Sequence, residues 1–335
     1  MAKVMSLTEQ LEASALQVNE YIYSLLKGKP KILYDASSHL IRTGGKRIRP
    51  FLVMKSFELF DKDARKAIPA AAGLELIHNF TLVHDDIMDH DLTRHNAPTV
   101  HVKYGVPIAI ISGDILFAKA FEAIVSGMQE MKIKENVIIR VLELAVKSSI
   151  RVCEGQAKDL KMTSSKRFHS RETYFDMIRN KTAALFETAC RIGSIVGNAG
   201  KKDEESMANF GRNLGIAFQL VDDLLGIAGD PKLTGKPVGS DLKEGKKTLA
   251  LSLALKLAND EDRIKIQRVF GKRKITQEEM DEALMIISKT GVADKIRDEA
   301  RFYADKAISI LKRYPDSPAK KSLSELTNFI VSRNL

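Results

Sequence analysis

Leu82-Val83-His84-Asp85-Asp86-Ile87-Met88-Asp89 is the stretch on which the reading of this chain turns. It lies in an apolar, alanine-rich run that begins at Ile68 and has no proline between Pro69 and Pro98. A long helix is the expectation, with the octapeptide in its middle. At about 3.6 residues per turn Asp85 and Asp89 stack on one face, and Asp86 lies about 100° round. Like charges at that spacing cost a helix roughly a few tenths of a kcal/mol, so a cation is needed to repair the pair. Hard oxygen ligands without a thiolate favour Mg2+, which keeps several waters and is completed by substrate phosphates. The plainer alternative for one such motif is a solvated acidic face, and residues elsewhere must decide.

Composition narrows the field. The chain has 335 residues, 44% of them hydrophobic and 29% charged, the balance of an ordinary globular protein, and a long helical enzyme of this size can stay one unit. No run approaches the roughly 18 uncharged apolar residues of a membrane span, and Met1 to Glu20 is acidic and amphipathic, so a cytoplasmic location is expected. Cys153 and Cys190 lack CxxC spacing and are expected to be buried structural thiols. The net charge of +10 suits nucleic acid, an acidic membrane or an anionic small substrate. Without tryptophan or an aromatic-basic alternation to stack bases, nucleic-acid binding is not expected.

Amphipathic helical patterns run from end to end, which predicts a nearly all-α protein. Helices are expected over Ser6 to Leu26, Ile32 to Ile41, Ile68 to Asp91, Pro107 to Ser126, Glu135 to Leu160, Arg171 to Val196 and Asp203 to Ile227. Between the second and third stands Arg42-Thr43-Gly44-Gly45-Lys46-Arg47-Ile48-Arg49-Pro50, two glycines followed by three cations. Such a loop can wrap an oxyanion with backbone N–H groups and side chains, although a basic surface loop reads the same way. His78 and Thr81 precede Asp85 on its helix face, a polar stripe where a bundle helix is expected to be apolar. Five of the seven histidines fall between His78 and His101, but their spacing makes no HExxH site.

A second acidic element follows in Phe218-Gln219-Leu220-Val221-Asp222-Asp223-Leu224-Leu225-Gly226, with Gln219 and Asp222 on nearly one face. Two Asp-Asp pairs inside apolar helices are hard to dismiss as solvated faces, because an unpaired buried carboxylate costs about several kcal/mol. The Gly- and Pro-rich segment from Asp230 to Lys247, with its five cations, reads as a lid that closes over phosphates.

At this point the chain resembles the short-chain all-trans polyprenyl diphosphate synthases, most closely those of archaeal geranylgeranyl type. The likeness runs from Gly44-Gly45-Lys46-Arg47-Ile48-Arg49-Pro50 through Asp85-Asp86-Ile87-Met88-Asp89 and Arg94 to Gln219, Asp222-Asp223 and Gly235-Lys236-Pro237-Val238-Gly239-Ser240-Asp241. It implies a single polyprenyl synthase domain over 1–335, an all-α bundle of long helices around a deep central cavity. It further implies condensation of isopentenyl diphosphate with dimethylallyl, geranyl and farnesyl diphosphates to give geranylgeranyl diphosphate, and a homodimer, whose interface the sequence does not show. By position, Asp85, Asp89 and Asp222 would hold three Mg2+ ions with the allylic diphosphate, which Arg94, Lys181 and Lys236 would grip. Lys46, Arg49 and His78 would bind the diphosphate of isopentenyl diphosphate, and Thr182 and Gln219 would steady the allylic cation. A hydroxyl bonded to its own helix backbone is the alternative for Thr182.

Two positions depart from the family's pattern. His95-Asn96 stands where a second arginine and a glycine are common, so His95 would offer a hydrogen bond whose charge depends on pH. Gly226 stands where many relatives have a third aspartate, which leaves Asp222, with Asp223 or Asp230 as further donors. Product length would follow from Phe80 and Thr81 near the first motif. Thr81 is small and lies almost directly beneath Asp85, while Phe80, an aromatic five residues before the motif, matches enzymes making twenty-carbon chains. An ordinary core phenylalanine is the alternative for Phe80. A farnesyl or longer-chain synthase is the neighbouring reading, and a non-catalytic partner subunit would be expected to have lost some of these residues. Glu75-x-x-His78 matches half of a di-iron carboxylate motif whose second copy is absent from the sequence.

Overall fold

The computed structural model describes residues 5–165, 167–228, 239–272 and 274–332. In chain order the helices are α1 (Leu7–Leu25), α2 (Lys31–Ser37), α3 (His39–Arg42), α4 (Ile48–Glu58), α5 (Ile68–Met88), α6 (Val100–Tyr104), α7 (Val106–Glu122), α8 (Met128–Glu130) and α9 (Glu135–Ser164). They continue with α10 (Arg171–Ile178), α11 (Ala184–Val196), α12 (Lys201–Ala228), α13 (Ser240–Glu244), α14 (Leu249–Leu257), α15 (Asp260–Val269), α16 (Gln277–Lys289), α17 (Val292–Leu311) and α18 (Pro318–Val331). Among the described residues strand pairing is confined to β1 (Thr93–Arg94) and β2 (Ala97–Pro98), which run antiparallel. The all-α expectation holds. No helix of the described residues is long and apolar enough to cross a membrane.

The chain folds into two compact units. One comprises Met1–Ile150, Leu185–Gly211 and Ile310–Leu326; the other comprises Arg151–Ala184, Arg212–Ser309 and Thr327–Leu335. In the first, α5 is the spine. It packs most extensively on α7 and also on α4 and α1. Residues Pro69 to Ile77 are buried without a break, because neighbours cover every face of the helix. Pro69 sits in its first turn, where the missing N–H is no loss. α1 opens with a capping box between Ser6 and Glu9 and buries Leu11, Val18 and Ile22 along one stripe. Each such aliphatic side chain contributes about 1.5–3 kcal/mol when fully buried.

The second unit has its own core, in which Phe175, Leu220, Leu224, Leu251, Ile266 and Ile287 meet. Several expectations change, and the expected helix over Ile32 to Ile41 is divided at Ser38 into α2 and α3. The first acidic motif is not mid-helix: α5 ends at Met88 and Asp89 is its C-cap. The expected helix over Arg171 to Val196 is interrupted by a π turn at Arg179–Ala183, with α10 before it and α11 after it. A second π turn, Ala123–Gly127, joins α7 to α8. Cys190 is buried as expected, its thiol pushed up to about 12 by burial, whereas Cys153 is exposed. Its neighbour Val152 is buried instead, and the thiol stands on the exposed face of α9 that also carries Val146 and Ile150.

Candidate active site

In the first unit two groups of predicted residues lie on α5 and the segments beside it. The loop before α4 has Gly44 at φ 119°, Gly45 at φ 116° and Arg47 at φ 47°. Lys46 is exposed and Arg49 half-buried, but Arg47 turns inward and is buried. Arg49 and His78, predicted together from separate segments, meet: Arg49 Nη1 lies 3.0 Å from His78 Nε2. A guanidinium only donates, so that ring nitrogen accepts. Burial, and then the charges of Arg49 and Arg94, hold the imidazole pKa well below its usual value, which keeps the ring neutral. Glu75, one turn earlier on α5, is buried beside Arg47 at 3.5 Å.

Asp85 and Asp89 are both half-buried at the end of α5. A helix C-terminus carries partial negative charge, so two carboxylates there raise the demand for a cation. Asp86 is buried instead and accepts from Arg94 Nε at 2.6 Å, while Arg94 Nη2 reaches Asp91 at 3.3 Å. Arg94, predicted as a diphosphate ligand, is thus held against two carboxylates of its own segment. Among the described residues no three His, Cys, Asp or Glu side chains converge as a ready cation cage. Two hard carboxylates, short of a cage, fit a Mg2+ that keeps waters and takes phosphate oxygens.

His95 and Asn96 sit at φ 51° and 59° between β1 and β2. Two left-handed residues are what a tight I′ hairpin needs, and Asn tolerates that conformation. Asn96 thus takes a left-handed position that a glycine would also fill. Partial burial and the charges of Arg94 and Arg47 lower the His95 pKa. Phe80 packs its ring 4.9 Å from His84 and 4.9 Å from Phe117 on α7, which in turn lies 4.8 Å from Phe121. The Thr81 hydroxyl donates back to His78 O at 2.7 Å.

In the second unit the π turn presents Lys181 and Thr182. Lys181 Nζ donates to Asp159 Oδ2 at 2.5 Å. Thr182 Oγ1 donates to Gln219 Oε1 at 2.5 Å, so these two predicted residues also meet, and the hydroxyl reaches across to α12. Gln219 Nε2 donates to Asp223 Oδ1 at 2.6 Å, and Tyr174 OH donates to Asp223 Oδ2 at 2.5 Å. Asp223 is buried, and burial with the nearby charge of Asp241 pushes its pKa up to about 8. Its neighbour Asp222 is exposed. The second aspartate of this pair therefore supports Gln219, and the first is the exposed carboxylate of the two.

Gly226 has a tertiary reason. A Cβ there would overlap the Asp241 carboxylate, which occupies the space beside the helix. Asp230, Lys236 and the Gly- and Pro-rich segment up to residue 238 lie outside the described residues, and the part that follows forms the short α13. Sequence reasoning assigned no role to Asp241, Asp159 or Gln156. Gln156 is buried on α9, and neither amide atom has a hydrogen-bond partner among the described residues. An orphaned buried amide marks a place that awaits a polar partner, and nothing in the local pattern of α9 announces it.

A polyprenyl synthetase profile matches residues 30–287. The chain is 40% identical to a geranylgeranyl diphosphate synthase of Sulfolobus acidocaldarius, over 94% of this chain and 95% of that one. It is also 40% identical to a geranylfarnesyl diphosphate synthase of Aeropyrum pernix, over 94% of this chain and 99% of that one. The crystal structure of geranylgeranyl pyrophosphate synthetase from Pyrococcus horikoshii superposes with a TM-score of 0.90 at 40% identity, covering 98% of each chain.

Proposed function

The chain belongs to the polyprenyl synthetase family, and from that premise we propose how its residues carry out prenyl transfer. It is a prenyltransferase that condenses isopentenyl diphosphate with allylic diphosphates, with geranylgeranyl diphosphate as product. The observation that carries the residue assignments is α5 itself. This one helix bears His78 against Arg49 and, about 10 Å further along at about 1.5 Å per residue, the carboxylates of Asp85 and Asp89. An anion cradle and a cation-demanding acidic pair on one rigid element are what diphosphate chemistry needs.

Lys46, Arg49 and His78 bind the diphosphate of isopentenyl diphosphate, which leaves its double bond free to attack. Arg94, Lys181 and Lys236 hold the allylic diphosphate, and His95 adds a hydrogen bond beside Arg94. Asp85, Asp89 and Asp222 would hold Mg2+, three ions in this reading, with Asp222 rather than Asp223 serving because Asp223 is committed to Tyr174 and Gln219. Bound magnesium supplies positive charge to the departing diphosphate. The cations around that diphosphate stabilise the charge that grows on it as the allylic C–O bond breaks. Thr182 and Gln219 offer oxygen dipoles to the allylic cation, and the chain between Thr182, Gln219, Asp223 and Tyr174 fixes the amide's orientation. The isopentenyl double bond then attacks, and the proton is lost to the released diphosphate, so no dedicated protein base is required.

The same proposal takes 1–335 as one domain, since the profile match runs through both compact units. It places the protein in the cytoplasm as a homodimer. Exposed apolar side chains on the first unit support the dimer: Val106, Ile110 and Ile111 on α7, and Ile139, Val146 and Ile150 along α9. A longer product is the second reading, favoured by the equal likeness to the Aeropyrum enzyme. Incubation of the purified protein with Mg2+, labelled isopentenyl diphosphate and each allylic primer, followed by sizing of the products, separates the two. Asp85→Ala is expected to cut turnover by on the order of 10²–10³, as when a group that stabilises developing charge is removed. Undiminished turnover in that variant would refute the metal assignment.

A further inference from the structure

Lys46 and Arg49 flank a residue that faces the other way. Arg47 is the N-cap of α4 and adopts a left-handed backbone, which costs a non-glycine residue about 1–2 kcal/mol. Its side chain, 3% exposed, repays that strain from inside. The guanidinium donates through Nε to Asn19 Oδ1 on α1 at 3.0 Å. It donates through Nη1 to Gly44 O at 2.6 Å and through Nη2 to Ile41 O on α3 at 2.7 Å. Nη1 also lies 3.5 Å from Glu75 Oε1 on α5. One planar group thus ties the loop to α1, α3 and α5, and a planar fork fixes those directions as an ammonium cannot. Gly45 is bound to this arrangement: φ there is 116°, and a Cβ would overlap the Arg47 guanidinium.

Glu75 completes the bracket. Its side chain is 3% exposed, Asn79 Nδ2 donates to its Oε1 at 3.2 Å, and its Oε2 has no hydrogen-bond partner among the described residues. It stands one turn before His78, so whatever fixes Glu75 against the loop also sets the distance from Lys46 and Arg49 to His78. Arg49 has separate support, its guanidinium lying 5.0 Å from the Phe186 ring centroid.

We infer that Arg47 and Glu75 are positioning residues for isopentenyl diphosphate, a buried pair that sets the register of loop 44–47 on α5 so that Lys46, Arg49 and His78 converge on one diphosphate. Neither side chain touches the ligand. The inference rests on the reading that this loop takes isopentenyl diphosphate, and the test separates the two. Isopentenyl diphosphate and geranyl diphosphate are titrated calorimetrically into the full-length protein and its variants in Mg2+. Arg47→Lys keeps the charge and loses the fork. It is expected to weaken isopentenyl diphosphate binding about tenfold, the worth of one charge-assisted hydrogen bond, with geranyl diphosphate affinity within about twofold. Glu75→Gln keeps the shape and is expected to shift the same ratio in the same direction. A general loss of stability moves both affinities together, and that outcome would overturn the inference. So would unchanged isopentenyl diphosphate affinity in Arg47→Lys while Lys46→Ala and Arg49→Ala lose it. If those two alanine variants bind isopentenyl diphosphate as the parent does, the reading of the loop falls, and the inference with it. Should Arg47→Lys fail to fold, Asn19→Ala removes a single acceptor from the guanidinium, and about a threefold loss confined to isopentenyl diphosphate is expected. No loss there would overturn the inference.

Discussion

His78 shows what a single residue contributes at the candidate site. Neutral imidazole accepts from Arg49, whereas imidazolium would be repelled by the same guanidinium. The sign of the pH dependence follows. The folded pKa lies below the ordinary 6.5, so below that value the unfolded chain binds the proton more readily than the folded one. Stability from this residue is present above pH 6.5 and is lost as pH falls. Melting temperatures of the parent and His78→Gln at pH 7.5 and 5.5 check this, and the variant is expected to lose less on acidification. An equal loss in both would show that other groups set the slope. Neighbouring residues in the acidic motifs differ just as sharply in duty. Asp85 is half-buried while Asp86 is held by Arg94, and Asp222 is exposed while Asp223 is held by Tyr174 and Gln219. The spacing showed which faces the pairs occupy, but it could not say which member of each pair another segment would claim.

Among the elements, α5 was the most legible. Its alanine-rich run predicted a buried helix, and the structure gives one from Ile68 to Met88. It ends a few residues earlier than its pattern predicts, and the difference matters because it puts Asp89 at the cap, where the helix dipole opposes its charge. The π turn at Arg179–Ala183 was not legible at all. Neither glycine nor proline marks it in the sequence, and its one extra residue per turn is sustained by contacts made elsewhere, such as that of Thr182 with Gln219. Phe80 illustrates a reading left open. Its ring packs on Phe117 as a core residue does, yet α5 also carries it about one and a half turns before the acidic motif. Phe80→Ala is expected to cost about 2–3 kcal/mol, less than a fully buried phenylalanine, and to lengthen the products. Product sizing by chromatography decides, and an unchanged spectrum would show that another side chain limits the chain.

At the scale of the whole molecule, the net charge of +10 suits an enzyme whose two substrates each carry a diphosphate, since a positive surface raises their local concentration. The apolar stripes on α7 and α9 bear on assembly. A stable pair of subunits buries about 1,600 Å² or more, and exposed Ile110 and Ile139 are the side chains to disrupt. Ile110→Asp combined with Ile139→Asp is expected to convert a dimer to monomers in sedimentation velocity, and a parent protein that sediments as a monomer would remove the dimer. By itself the sequence determined the helical class, the two acidic elements, the basic Gly-Gly loop and the hard-cation chemistry they imply, because apolar period and side-chain type are local properties. Only the tertiary structure decided that Arg47 turns inward while Lys46 stays exposed, that Asp241 fills the space at Gly226, and that Asp223 supports Gln219. Those outcomes depend on partners distant in the chain, and the cost of leaving a buried charge or amide unmatched selects among them only once the segments have packed.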